Sequence, residues 1–198
     1  MRDMNTTKGE QTRARVIDAA ITIMNRKGIN NTSIQDIIDE TGVKKGNLYF
    51  HFGSKDDLGL NILSEAWKNY FNYLTRNIRS PDPRGKINDI LRSVLERHRS
   101  MGFVGGCIFG NTALEMSDSG TQHAGLVREI FDEWMKLLEG LLGEAGKRGE
   151  LPDGVRPKPM ARFIVSSMEG AIMLARLYKR GDPIEECIAN IRRLIGLK

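Results

Sequence analysis

The chain has 198 residues, 40% of them hydrophobic and 28% charged, with a formal net charge of +5, which suits one large or two small domains of an ordinary globular protein. No run nears the ~18 consecutive apolar residues that a membrane span needs, and two cysteines, Cys107 and Cys187, are too few for a disulfide framework and belong to no CxxC or Cys/His cluster that would hold zinc. Positive charge gathers early: residues 1–55 carry nine Lys/Arg against six Asp/Glu, or +3 of the +5, so a polyanion is a natural partner for that segment. Met1–Glu10 is polar and does not read as a secretion leader, so a reducing cytoplasm is the expected compartment, with no membrane contact.

Helical periodicity runs through the sequence and no strand alternation appears. Val16, Ile17, Ala20, Ile23 and Met24 form the apolar stripe of a first helix, which Gly28 closes. Thr32 with Gln35 reads as a capping box opening a short second helix that carries Ile34, Ile37 and Ile38. Thr41-Gly42-Val43 is a tight turn, and a third short helix is expected over about residues 44–50. Ser54 with Asp57 caps a long fourth helix, whose stripe of Leu58, Ile62, Ala66, Tyr70 and Leu74 is broken at Ser80–Pro83. A fifth helix places Ile87, Ile90, Leu91, Val94 and Leu95 on one face, and Gly102–Gly106 separates it from a short sixth segment, Cys107–Met116. Val127, Ile130, Phe131, Trp134, Leu138, Leu141 and Leu142 mark a long seventh helix. Leu151–Pro159, with three prolines, reads as a loop before an eighth helix with Met160, Phe163, Ile164, Met168, Ala171 and Ile172 that ends near Gly181. Pro183 starts a ninth with Ile184, Ile188, Ile191 and Ile195. The expected fold is therefore all-α, about nine helices, dividing into residues 1–55 and 56–198.

The informative stretch is Thr32–Leu58. Two short helices joined by a Gly-containing turn are the layout of a helix-turn-helix, whose second helix enters the major groove of DNA. Lys44, Lys45 and Asn47 fall in the first turn of that second helix; lysine can donate to guanine or phosphate and asparagine can pair with adenine. Tyr49, His51 and Lys55 are residue types that contact phosphate, beside amide donors at the start of the fourth helix. Packing offers another role for Tyr49, Phe50 and Phe52, which could be core aromatics, and for His51, which could pack on the fourth helix.

Thr-Ser-Ile-Gln-Asp-Ile (32–37), Thr-Gly-Val-Lys-Lys-Gly-Asn-Leu-Tyr-Phe-His-Phe (41–52) and Gly-Ser-Lys-Asp-Asp-Leu (53–58) resemble the signature block of the TetR/AcrR family of transcriptional regulators, and Ala19, Ala20 and Gly28 fit its first helix. The resemblance covers about Thr12–Leu63. It implies phosphate contacts from Ser33, Tyr49, His51 and Lys55, and base reading by Gln35, Lys44, Lys45, Asn47 and Phe50. It also implies a repressor that binds a palindromic double-stranded operator as a homodimer and is released by a small-molecule effector. One departure stands out: the family most often has Ser or Thr where this chain has Lys44, which cannot cap its helix through an oxygen and so forgoes on the order of 1 kcal/mol.

The remaining helices would form a ligand-binding and dimerisation domain. By the same resemblance the eighth and ninth helices pair with a partner as a four-helix bundle, with Ser166, Ser167, Gly170 and Ala171 allowing close approach and Ile172, Leu174 and Ile188 supplying apolar area. Met101, Cys107, Asn111, Glu115, Trp134, Met168 and Glu169 interrupt apolar faces and are the candidate effector contacts; core filling, or bracing of the sixth segment by Asn111 and Glu115, is the alternative. Gly106-Cys107-Ile108-Phe109-Gly110-Asn111 with Glu115 resembles a block in a regulator subgroup, some members of which sense electrophiles or oxidants through cysteine, so Cys107 is also a candidate thiol sensor. No nucleophilic triad, phosphate loop or HExxH motif points to an enzyme, and His51, His98 and His123 lie too far apart for a metal set; neither catalytic residues nor a cofactor are expected. A purely dimerising helical adaptor would leave the basic helix-turn-helix without a role. The fourth helix, running from Lys55 through Trp67 and Tyr70, is the expected transmitter between effector and DNA.

Overall fold

The computed structural model describes residues 7–197, which form nine helices with no strand among the described residues. The helices are α1 (Lys8–Lys27), α2 (Ile34–Thr41), α3 (Lys45–His51), α4 (Lys55–Arg76), α5 (Pro83–Ser100), α6 (Ile108–Met116), α7 (Gln122–Lys147), α8 (Pro157–Tyr178) and α9 (Asp182–Leu194).

Caps and turns set the layout of the small N-terminal unit. Thr7 and Glu10 form a reciprocal capping box at α1. At α2 the expected Thr32–Gln35 box is not the one that forms. Thr32 is buried and its hydroxyl donates to Gly28 O at 2.7 Å. Ser33 is the cap, accepting from Asp36 N at 3.1 Å while the Asp36 carboxylate accepts from Ser33 N at 2.8 Å. Gln35 instead reaches Asp39 along the helix, at 2.7 Å. Gly42 closes α2 at φ +66°, a left-handed conformation that a β-carbon would penalise, and so turns the chain sharply into α3. Lys44 occupies the N-cap of α3 without a side-chain hydrogen bond, as its chemistry dictates. Ser54 caps α4 by accepting from Asp57 N at 3.0 Å. Val16, Ile17, Ala20 and Met24 of α1, Ile37 of α2, Leu48 of α3, and Phe52 and Leu58 make the core of this unit.

Helix α4 belongs to both halves of the molecule. Near its start Asn61 accepts from the Arg13 guanidinium of α1. Farther along, Trp67 Nε1 donates to Glu133 Oε2 of α7 at 2.6 Å, and the Tyr73 hydroxyl donates to Ser93 O of α5 at 3.1 Å. The larger core holds Leu74, Ile87, Ile90, Leu91, Val94, Ile130, Trp134, Leu138, Leu142, Ile164 and Met168, all at most 2% exposed.

Two boundaries differ from expectation. Pro157 and Pro159 lie in the first turn of α8 rather than in a loop, since neither needs the amide that a first turn leaves unbonded. That helix ends at Tyr178, where Lys179 takes a left-handed conformation at φ +56°, before Gly181.

Candidate DNA interface and effector cavity

Helix α3 divides cleanly. Leu48 is wholly buried, whereas Lys44, Lys45, Gly46, Asn47, Tyr49 and Phe50 all face outward. Of the three aromatics that could have been core, only Phe52 is. Tyr49 is 42% exposed and Phe50 84% exposed, leaving a bare aromatic beside two lysines and an asparagine. These are the donors and apolar surface that base edges and thymine methyls accept. Ser33 and Gln35 lie exposed at the start of α2, Ser33 committed to its cap and Gln35 to Asp39. Lys55 is exposed and folds its ammonium onto Asn30 O at 3.3 Å, a bond that a phosphate could displace. His51 is half-buried, edge-on to Phe50 with ring centroids 5.3 Å apart and close to Gly9 of α1.

A cavity of about 480 Å³ opens between α6, α7 and α8, within the size range of small-molecule sites. Cys107, Asn111 and Glu169 line it, joined by Phe131, Met135, Met173 and Arg176. The remaining expected effector contacts lie elsewhere. Met101 lines a smaller cleft of about 270 Å³ with Tyr70, Arg97 and His98, and Cys107 borders both spaces. Trp134 and Met168 are enclosed in the core, Trp134 edge-on to Tyr70 at 6.3 Å and stacked with Phe131 at 6.3 Å. Glu115 turns toward the N-terminal unit, where a carboxylate oxygen accepts from Asn30 N at 3.0 Å; a β-carbon at Gly28 would collide with it.

Arg176 connects the cavity to α1. Its Nη1 donates to Asn111 Oδ1 at 2.9 Å and its Nη2 to Arg26 O at 3.5 Å, while Asn111 Nδ2 donates to Gly105 O at 2.8 Å. Sequence reading missed Arg176, although a signal existed: it follows Glu169 by two helical turns on the same face of an otherwise apolar helix.

Glu169 is the chemical singularity of the cavity. Its Oε1 is shut off from solvent with no hydrogen-bond partner. Burial raises its pKa to about 7, partly offset by a hydrogen bond from the Cys107 thiol. Cys107 caps α6, its sulfur accepting from Gly110 N at 3.5 Å. Burial and the neighbouring Glu169 charge push the thiol well above its ordinary pKa, outweighing the helix end. A thiol held protonated is a weak nucleophile, which counts against electrophile sensing at this position. Among the described residues no group of three or more His, Cys, Asp or Glu could hold a metal ion, and no helix is long and apolar enough to cross a membrane.

Helices α8 and α9 expose an apolar face. Phe163, Leu174, Leu177 and Tyr178 are 47%, 38%, 68% and 59% exposed, and Phe163, Ser167, Gly170, Leu174, Tyr178 and Asn190 border a groove between the two helices. Ala171, though nearly buried, lines the floor of that groove, whereas Ile172 and Ile188, expected on this face, are buried inside the subunit. The helices are apolar on more than one side, and the intramolecular packing takes those two isoleucines.

Comparison with known proteins agrees with this layout. Residues 16–61 match the family described as bacterial regulatory proteins, tetR family, and residues 83–191 match the tetracyclin repressor-like C-terminal domain. A TetR transcriptional regulator from Chloroflexus aurantiacus J-10-FL superposes with a TM-score of 0.88 at 31% identity, covering 96% of each chain. The HTH-type transcriptional repressor DhaR of Mycobacterium sp. (strain GP1) is 25% identical over 186 residues, 90% of this chain and 89% of DhaR. The transcriptional regulator AcuR of Cereibacter sphaeroides is 28% identical over 172 residues, 85% of this chain and 78% of AcuR.

Proposed function

Because this chain belongs to the TetR family of DNA-binding transcriptional regulators, we propose that it is a cytoplasmic repressor that binds a palindromic operator as a homodimer and lets go when a small molecule fills the α6–α7–α8 cavity. Residues 1–55 act as the DNA-reading head and 56–198 as the body. The observation that carries the DNA reading is the outward face of α3: two lysines, an asparagine and two bare aromatics around one buried leucine. Lys44, Lys45, Asn47 and Phe50, with Gln35 at the start of α2, read bases. Ser33, Tyr49, His51 and Lys55 hold phosphates and fix the register.

Two such heads reach successive major grooves only when held about one helical turn (~34–36 Å) or a multiple of it apart, and the exposed α8–α9 face supplies the joint. Met101, Cys107, Asn111, Glu115, Trp134, Met168 and Glu169 are assigned to the effector response in different capacities. Cys107, Asn111 and Glu169 meet the molecule, Met101 borders the adjoining cleft, and Trp134 and Met168 back the wall. Glu115, with Arg176, carries the response to the head through Asn30 and the end of α1. An effector loosens DNA only if it binds the released arrangement better; a coupling of about 1–3 kcal/mol would weaken operator binding roughly 5–150-fold. Titration of operator DNA with this protein, with and without Tyr49→Ala, tests the reading. The substitution should weaken binding to every sequence, and unchanged affinity would refute the phosphate contact.

A further inference from the structure

Glu169, in the lining of the cavity between α6, α7 and α8, carries one unsatisfied polar atom, and its surroundings restrict what can satisfy it. Glu169 Oε1 has neither solvent nor protein partner. The opposite oxygen lies against Gly110, where a β-carbon would collide with it, so the carboxylate is wedged at the start of α6 and Oε1 is its unbonded oxygen. Phe131 and Met135 from α7 and Met173 from α8 give the cavity an apolar wall, beside the polar Asn111, Ser166 and Arg176.

We propose that this cavity recognises an organic amine, a compact apolar body ending in a protonated nitrogen, with the carboxylate of Glu169 as its counter-charge. The inference rests on the reading that the cavity is the effector site, and adds the chemical class of the effector. Buried donors and acceptors are expected to be paired, and a charge-assisted bond to a carboxylate is roughly twice as strong as a neutral one. An anionic guest would meet Glu169 as a like charge or as a carboxyl forced to stay protonated. The other charged and titratable groups do not supply the missing partner. Arg176 lines the same cavity and keeps its charge, but its guanidinium is bonded to Asn111 Oδ1 and Arg26 O rather than to Glu169; the Cys107 thiol is held neutral, and Tyr70 on α4 is held protonated by burial. Polarisable methionines and the face of Phe131 suit the apolar body and the rim of a cation.

A cation drives Glu169 to its ionised form, so binding expels the proton that the free site carries part of the time. With the carboxyl at about 7, amine binding at pH 7 should release about half a proton. Calorimetry with phenethylamine, phenethyl alcohol and hydrocinnamate, which share one apolar body, tests the proposal. The amine should bind at least about 10-fold more tightly than the alcohol or the acid, and Glu169→Gln should remove about 10-fold or more of that affinity while changing the alcohol by less than about 3-fold. Repeating the wild-type titration in buffers of different ionisation enthalpy reads the proton directly, whether or not the variant folds. Equal binding of the three probes, no amine binding at millimolar concentration, or no proton released overturns the proposal. DNA release is scored separately. Glu169-dependent amine binding that leaves operator affinity unchanged upholds the ligand class and overturns the effector reading, whereas release of DNA by the alcohol or the acid alone, independent of Glu169, does the reverse.

Discussion

Replacing Leu174 by Arg should separate the two protomers without unfolding either. Leu174 is 38% exposed at the centre of the α8–α9 face, so the subunit already buries most of it and the interface takes the rest. Burying a whole leucine is worth about 1.5–3 kcal/mol, so the exposed remainder contributes about 1 kcal/mol per copy. A two-fold interface counts every residue twice. The larger effect is the arginine itself, since an unpaired charge buried at such a joint costs several kcal/mol, again in both copies. The sum exceeds about 5 kcal/mol, or more than a thousandfold in dimer dissociation constant. Sedimentation at micromolar concentration should show wild-type dimer and variant monomer with the same helical circular dichroism, and the variant should lose operator binding with it. Gly170 offers a gentler version: a β-carbon there meets nothing within 4 Å in the subunit, so Gly170→Ala should be tolerated by the monomer and weaken the dimer. Ile188→Ala should behave oppositely, costing about 2–5 kcal/mol of folding stability because that side chain is 6% exposed in the subunit core. A Leu174→Arg protein that remains dimeric and binds DNA normally would refute the assignment of this face.

Three other outcomes follow from named contacts. Lys55→Ala should weaken binding to all DNA sequences and reduce the log–log salt slope by about 0.9, whereas Lys45→Ala should change which sequences are preferred; identical slopes and preferences would contradict both roles. Glu115→Ala removes a charge-assisted bond to Asn30 N and should speed hydrogen exchange of that amide about 10-fold, and unchanged protection would show that the α6–α1 link carries no load. Burial, with Arg97 adding to it, lowers the pKa of His98 to about 4 from the ordinary 6.5, so the unfolded chain takes up its proton first on acidification. Its stabilising contribution is therefore complete above pH 6.5 and disappears as pH falls to about 4. The stability advantage of wild type over His98→Gln should shrink by about 3 kcal/mol between pH 7 and pH 4, read by urea unfolding.

Most of the fold was legible because each helix carries its own 3.6-residue stripe and its own stop. Ser54–Asp57, Gly42 and Pro183 mark real boundaries through local chemistry alone. The errors arise where local chemistry is degenerate. Thr32 and Ser33 are both plausible caps with a suitable residue three positions on, and only the packing of Thr32 against the end of α1 selects Ser33. Ile172 and Ile188 could face a partner or the core, and the pattern of a helix apolar on several sides does not distinguish them. The outward face of α3 could be proposed from spacing because Leu48 is its single inward residue. The cavity was only partly legible. Cys107, Asn111 and Glu169 interrupt apolar runs and do line it, but Glu115 interrupts one equally well and points at Asn30, a contact set by the docking of α6 on α1 rather than by any spacing.

The central claim is that two copies of this chain read one DNA site through α3. Selecting tight binders from fragmented DNA of the source genome and measuring the mass of the resulting complex tests it most directly. The account predicts an inverted repeat with half-sites a helical turn or a multiple of it apart, protomers bound in pairs, and a shift in the selected half-site when Lys45 is replaced by Ala. Recovery of no sequence above background, or a single protomer per selected duplex, would contradict it.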